Sequence, residues 1–233
     1  MKTSLTAALL TGACLMFTAT LGLAAGGGGA MPSAPSGGNS DVLKDPVVQA
    51  RYAYDAGVKL IEKADALDAE AGAAPADKRA KLEAKAQKIY GNAIDKFSEA
   101  VGHQGTFFQA WNYIGYAQRH LGNYDQSLAA YDRALSINPM YHEAIEYRGH
   151  AYLGLNRLDD AKDAYMTLFR DARALSDKLL KAMQGWVDAH RKDAGNVDAA
   201  TIDGFAQWVT ERSAVAQQTA SLALDADTAS SWR

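Results

Sequence analysis

Laid over itself at an offset of 34 residues, the segment from Phe108 to Tyr141 falls on the segment from His142 to Leu175 without a gap. Ala110 meets Ala144, Tyr113 meets Tyr147, Gly115 meets Gly149 and Ala117 meets Ala151. Further on, Leu121 meets Leu155, Asp125 meets Asp159, and Ala130-Tyr131 meets Ala164-Tyr165. All of these positions lie in stretches whose apolar residues recur at helical spacing, so one helix-turn-helix unit is used at least twice. Such a unit cannot bury its apolar stripe alone and must stack on a neighbour, which commits the chain to an all-α architecture. Gly115 and Gly149 are expected to let the two helices of each hairpin approach closely, with Ser127 and Ala161 opposite them. Pro139 stops a helix and sets the entry of the next.

The same residues resemble the tetratricopeptide repeat (TPR), whose pattern runs W-x2-L-G-x2-Y, then A-x3-F, then P. The first copy offers Trp111, Ile114-Gly115, Gln118, Ser127, Tyr131, Ala134 and Pro139; the second offers Ile145, Arg148-Gly149, Tyr152, Ala161, Tyr165 and Leu168, with Arg173 where the proline is usual. Upstream, Ala93, Phe97 and Ala100 match the second half of the motif. Its first half would be Val47 to Leu67, opened by Asp45 as N-cap and Pro46 at the first helical position, with Gly57 as the close-packing glycine. An insertion from Asp68 to about Lys85, containing Gly72 and Pro75, separates the halves as either a folded helical extension or a loop. A longer ordinary helix pair is the other reading of this region. Downstream, Ser176 is read as the cap of a helix bearing Leu179, Leu180, Met183, Trp186, Val187 and His190, which Gly195-Asn196 breaks. Asp198 caps a further helix with Ile202, Phe205, Trp208, Val209 and Val215, which closes the open end of the stack. The expected fold is therefore a short right-handed α-solenoid of about three TPR-like hairpins. A divergent first repeat with its insertion spans 45–107, two repeats span 108–141 and 142–175, capping helices span 176–220, and a frayed tail spans 221–233.

Ahead of the repeats stand Lys2, a mostly apolar run from Leu5 to Leu23, and small residues at Ala24 and Ala25. That order describes a signal peptide over 1–25, cut after Ala24 or Ala25; an uncleaved anchor is the alternative, since the run approaches bilayer-spanning length. Thr11-Gly12-Ala13-Cys14 resembles a lipobox, but Thr11 stands where Leu is usual and the apolar run continues past the cysteine, which argues against lipidation. Residues 26–44, rich in Gly, Ser and Pro, read as a flexible linker. Taken with the resemblance, the leader implies an exported bacterial TPR protein, periplasmic or secreted, with no stable membrane span once cleaved. Cys14 is the sole cysteine, so neither an intrachain disulfide nor a multi-cysteine zinc site is available. With 24 Lys plus Arg against 27 Asp plus Glu, the net charge of -3 lacks the basic excess that draws a chain onto nucleic acid.

The catalytic inventory is thin. Gly26 to Gly29 precede the linker rather than joining a strand to a helix, and no Gly-Lys-Ser/Thr follows, so this is no phosphate loop. His142-Glu143 with Glu146 and His150 imitates a zincin motif, but His142 and His150 stand two turns apart, about 12 Å along a helix, and cannot share one ion. No metal, cofactor or enzymatic activity is expected. Lys78, Arg79, Lys81, Lys85 and Lys88, interleaved with Asp77 and Glu83, make either a solvated face or a contact for an acidic partner or lipid surface. The resemblance implies a non-enzymatic adaptor or scaffold of the cell envelope that holds a peptide or partner protein in a concave groove. Carried onto this sequence, the groove positions are Asn112, Tyr116, Arg119, His120, Glu143, Glu146 and His150. The carboxylate clamp of one TPR subgroup is absent, because Tyr54, Val58, Tyr113, Glu143 and Tyr147 occupy the corresponding places. Two other readings stay open: an accessory module of an envelope-polymer enzyme using Glu143, Glu146 and His150 for acid–base chemistry, and a structural subunit that oligomerises through Trp186 and Trp208. Oligomeric state is not fixed by the sequence.

Overall fold

The computed structural model describes residues 44–230, with side chains through Thr219; the leader and all of the linker except Lys44 lie outside the described residues, as do residues 231–233. Among the described residues there are eight helices and no strand. They pair consecutively into antiparallel hairpins: α1 (Pro46–Ala73) with α2 (Ala76–His103), α3 (Phe108–His120) with α4 (Tyr124–Ile137), α5 (His142–Gly154) with α6 (Leu158–Asp171), and α7 (Arg173–Lys192) with α8 (Ala199–Ser230). The chain is an all-α, TPR-like solenoid.

Each boundary has a local cause. Asp45 accepts the Val47 amide at 2.8 Å and Pro46 opens α1, the expected cap. Asp198 does the same for α8, accepting both the amide and the hydroxyl of Thr201 at 2.9 and 2.7 Å. Gly195, with φ +57, turns the chain between α7 and α8 in a backbone region that favours glycine. Ser176 is a correction: α7 begins at Arg173, with Ala172 at the cap position. Ser176 lies inside the first turn, wholly buried, and its hydroxyl donates back to the Arg173 carbonyl at 2.7 Å. At the far end α8 continues to Ser230, so residues 221–230 are helical where the thinning of apolar positions suggests fraying.

The region read as an insertion is helical on both sides of a tight turn. α1 and α2 are 28 residues each, against 13 and 14 in the next hairpin, and so outrun the repeat helices by about four turns. Pro75 breaks the path at the tip, and Arg79 closes it, donating from Nε to the Ala71 carbonyl at 3.3 Å and from Nη2 to the Ala74 carbonyl at 3.2 Å. A Cβ built on Gly57 would come within 2.6 Å of the Phe97 ring, and one on Gly115 within 2.5 Å of the Tyr131 ring. Phe97 and Tyr131 are one repeat period apart, so the first hairpin carries the glycine–aromatic contact of the second. The first two hairpins thus share one packing contact between a first-helix glycine and a second-helix aromatic. Ser127 adds to the second hairpin by donating to the Gly115 carbonyl at 2.8 Å. In the third hairpin the neighbour of Gly149 changes to Leu179 of α7, and Tyr165 turns edge-on to Trp208 of α8 at 5.4 Å.

The core runs along the stack in two main pools. One joins α1 and α2 to α3 through Ile61, Ile89, Phe97 and Ile114; the other joins α5 through α8 around Leu168, Leu179, Met183, Trp186 and Phe205. Trp186, weighed above as an oligomer-interface residue, is buried inside this second pool. The terminal pair covers the apolar side of α6, as the end of a solenoid must.

Candidate functional site

The first helices of successive hairpins, α1, α3 and α5, meet along a polar seam that is unusual for a repeat interface. Asp65 and Asp68, one turn apart on α1, face the wholly buried Tyr90 of α2, whose hydroxyl lies 2.6 Å from Asp65 Oδ1 and 2.9 Å from Asp68 Oδ2. Tyr116 of α3 donates to the other oxygen of Asp65 at 3.0 Å. His120 of α3 places Nδ1 3.2 Å from Asp68 Oδ2 and Nε2 3.1 Å from Arg119 Nη2, with its ring between those of Tyr90 and Tyr116, at centroid distances of 4.6 and 4.5 Å. Arg119 lies over the Tyr116 ring at 5.2 Å. Its Nε is sealed from solvent without a hydrogen-bond partner, as is the nearby Tyr131 hydroxyl, and Glu146 of α5 attracts it electrostatically. Glu146, 5% exposed, bonds His150 one turn on at 2.7 Å.

The protonation of His120 follows from its partners. A guanidinium can only donate, so Nε2 accepts from Arg119 and the ring is neutral, with its one N–H on Nδ1 directed at Asp68. Burial lowers the His120 pKa, the Arg119 cation lowers it further, and Asp68 and Asp65 oppose both. The folded state thus takes up fewer protons on His120 than the unfolded chain once the pH drops below the unfolded value of about 6.5. This contribution to stability is present in full above that pH and is lost as the pH falls towards the lower folded value. Melting temperature measured against pH should therefore drop more steeply on acidification in the wild type than in His120→Gln. Parallel curves for the two would remove His120 from the account.

The seven groove positions separate into distinct environments. Tyr116, Arg119 and His120 belong to the seam, and Glu146 with His150 forms its continuation on α5. Asn112 is 2% exposed and its Oδ1 has no partner, a buried acceptor left open. Glu143 is exposed. Sequence reasoning missed Asp65, Asp68 and Tyr90, although a signal was present: Ile61, Ala64, Asp65, Asp68 and Ala71 share one helical stripe, and two carboxylates inside an otherwise apolar stripe call for internal partners.

Beside the seam runs a row of half-buried tyrosines. Tyr54 of α1 contacts Tyr113 of α3 at 5.8 Å, Tyr113 contacts Tyr116 at 6.3 Å, and Tyr116 contacts Tyr147 of α5 at 5.2 Å. Tyr54 also stacks at 4.7 Å on Phe107. Phe107 in turn lines an open cleft of about 430 Å³ at the start of α1 and α3, with Val47, Arg51 and Gln109. Among the described residues the hydroxyls of Tyr54, Tyr113 and Tyr147 find no hydrogen-bond partner. Burial, and then neighbouring Tyr113, pushes Tyr54 up to about 12; burial also raises Tyr113 and Tyr147. All three therefore keep their protons as donors at neutral pH.

Residues 108–141 match the family model of the tetratricopeptide repeat, which covers the α3–α4 hairpin. A search of curated proteins found no match. The chain is thus similar to TPR proteins, whose repeats generally mediate protein–protein contacts, and its consecutive helix pairs pack into a TPR-like all-α solenoid. No helix among these is long and apolar enough to cross a membrane.

Proposed function

We propose that this protein is a non-enzymatic adaptor or scaffold of the bacterial cell envelope that binds a peptide or partner protein along the face formed by α1, α3 and α5. The observation that carries the reading is the tyrosine row: three hydroxyls without internal partners, spread over three successive first helices. Tyrosine offers large, stiff contact area at low entropic cost together with a polar tip, which suits a recognition surface. A peptide backbone laid across the row supplies the missing acceptors and donors. Glu143 adds charge at the rim, while Arg119, His120 and Glu146 hold the face in shape from behind. Export rests on Lys2, the apolar run and the small residues at its end, and gives the partner's compartment as the envelope.

A photoreactive residue placed at Glu143 should crosslink a partner from an envelope extract that the same residue at Lys181, on the exposed side of α7, does not. The double variant Tyr54→Phe with Tyr147→Phe, which keeps both rings, should weaken that capture by about tenfold, the scale of one or two lost hydrogen bonds. Identical capture from Glu143 and Lys181, or capture indifferent to the lost hydroxyls, would reject the groove.

A further inference from the structure

The extension of the α1–α2 hairpin carries a feature that neither the repeat packing nor the groove uses. On α2, Lys78, Lys81, Lys85 and Lys88 follow one another at spacings of three, four and three residues, which places them on one side of the helix over about 15 Å of its length. All four are exposed, and no carboxylate of the described residues lies within 4.0 Å of any of their ammonium groups. At about 100° per residue, Glu83 falls on the opposite side of the helix, leaving Asp77 at its start as the nearby acid. Arg79 is not part of the stripe, because its guanidinium is committed to the turn carbonyls.

A face that serves solubility alone mixes its signs. Here three consecutive like-charge pairs stand at i,i+3 and i,i+4, where such pairs disfavour the helix. The first of them stand near the positive end of the helix dipole, which adds to the repulsion. An anion relieves all of these terms together. The tip that presents the stripe is held in one geometry by Pro75 and by the two Arg79 hydrogen bonds, so the lysines are displayed in a fixed register.

We infer that this stripe docks an acidic segment of a protein, specifically a helix whose carboxylates repeat once per turn, independently of the groove. The width and spacing fit that occupant: one row of cations about one turn apart meets one row of anions about one turn apart. A bilayer fits poorly, since the large exposed apolar side chains are Val47, Tyr52, Met140 and Met166, none of them on α2. Nucleic acid fits poorly as well, because the stripe lacks the arginines and aromatics that stack on or read bases.

The test uses the full chain and a fluorescein-labelled helical peptide with Glu at alternating three- and four-residue spacing. Binding is followed by anisotropy between about 50 and about 300 mM salt, across which screening shortens markedly. Wild type should bind with an affinity that falls as salt rises, and K81E with K85E should weaken binding by about tenfold or more. The control K178E with K181E, a lysine pair on α7, should stay within about twofold of wild type. Circular dichroism checks that helicity is kept, and K81Q with K85Q serves in the same role if the reversal disturbs the fold. Equal affinity for wild type and the α2 variants overturns the inference, as does equal loss in the α7 control. Tighter, stripe-dependent binding to vesicles rich in phosphatidylglycerol, or to duplex DNA, overturns it in favour of those partners.

Discussion

Replacing Trp186 by alanine should destabilise the protein by about 3–5 kcal/mol, the range for removing a large buried aromatic from a core. The side chain is 1% exposed, stacks on His190 at 3.8 Å, meets Phe205 of α8 edge-on at 5.2 Å, and donates its indole N–H to Asn156 Oδ1 at 3.0 Å. That last bond spans hairpins: Asn156 sits in the α5–α6 turn at φ 57, a left-handed conformation open to asparagine but disfavoured for most residues. Losing Trp186 thus removes the packing between α7 and α8 and also the partner that steadies the turn before α6. In a chain of this size such a loss lowers the melting temperature by roughly 10 °C. Because solenoid repeats depend on nearest neighbours, opening should begin at the C-terminal pair, visible as early loss of amide protection in α7 and α8. A loss below about 1 kcal/mol, the ordinary size for a surface change, would show that the terminal pair is not the cap of the stack.

The 34-residue period made the middle of this fold legible because two copies of one brick must pack alike. Gly115 and Tyr131 met as expected, and the same logic reached back to Gly57 and Phe97 even though 58 residues, rather than 34, separate Gly57 from Gly115. The ends were harder to read. Ser176 is a good capping residue by type, but Ala172 already accepts the Ser176 amide at 3.1 Å, so helical bonding starts earlier and the serine is carried into the first turn. In the insertion, Gly72 and Pro75 fit a loop as readily as a folded helical extension; what decides the matter is Arg79 reaching back across the tip, a contact no local pattern encodes. The site was legible only as a set of positions. Family spacing puts Tyr116, Arg119 and His120 on the face of α3, but whether that face is free depends on what α1 brings opposite it. Asp65 and Asp68 lie in the part of α1 that has no counterpart in the other repeats.

Arg119 is the pivot of that seam, and Arg119→Ala should destabilise the fold by about 2–4 kcal/mol. A buried hydrogen bond involving a charged group contributes about 1.5–3 kcal/mol, and Arg119 supplies both the bond to His120 Nε2 and the cation over the Tyr116 ring. Three carboxylates, Asp65, Asp68 and Glu146, face this region, and Arg119 is the guanidinium placed among them. Its removal leaves their repulsion in place, strips the hydrogen bond from His120 Nε2, and empties the space over the Tyr116 ring. The pH dependence separates this electrostatic role from simple loss of packing. Without the guanidinium, Asp68 and Asp65 act on His120 with less opposition, its folded pKa moves upward, and the ring can take a proton on Nε2. The acid-side decline in stability that begins near pH 6.5 in the wild type should therefore flatten in Arg119→Ala, although the variant is less stable at neutral pH. An unchanged slope, measured as melting temperature from about pH 7 down to about pH 5, would mean that Arg119 does not hold His120 neutral.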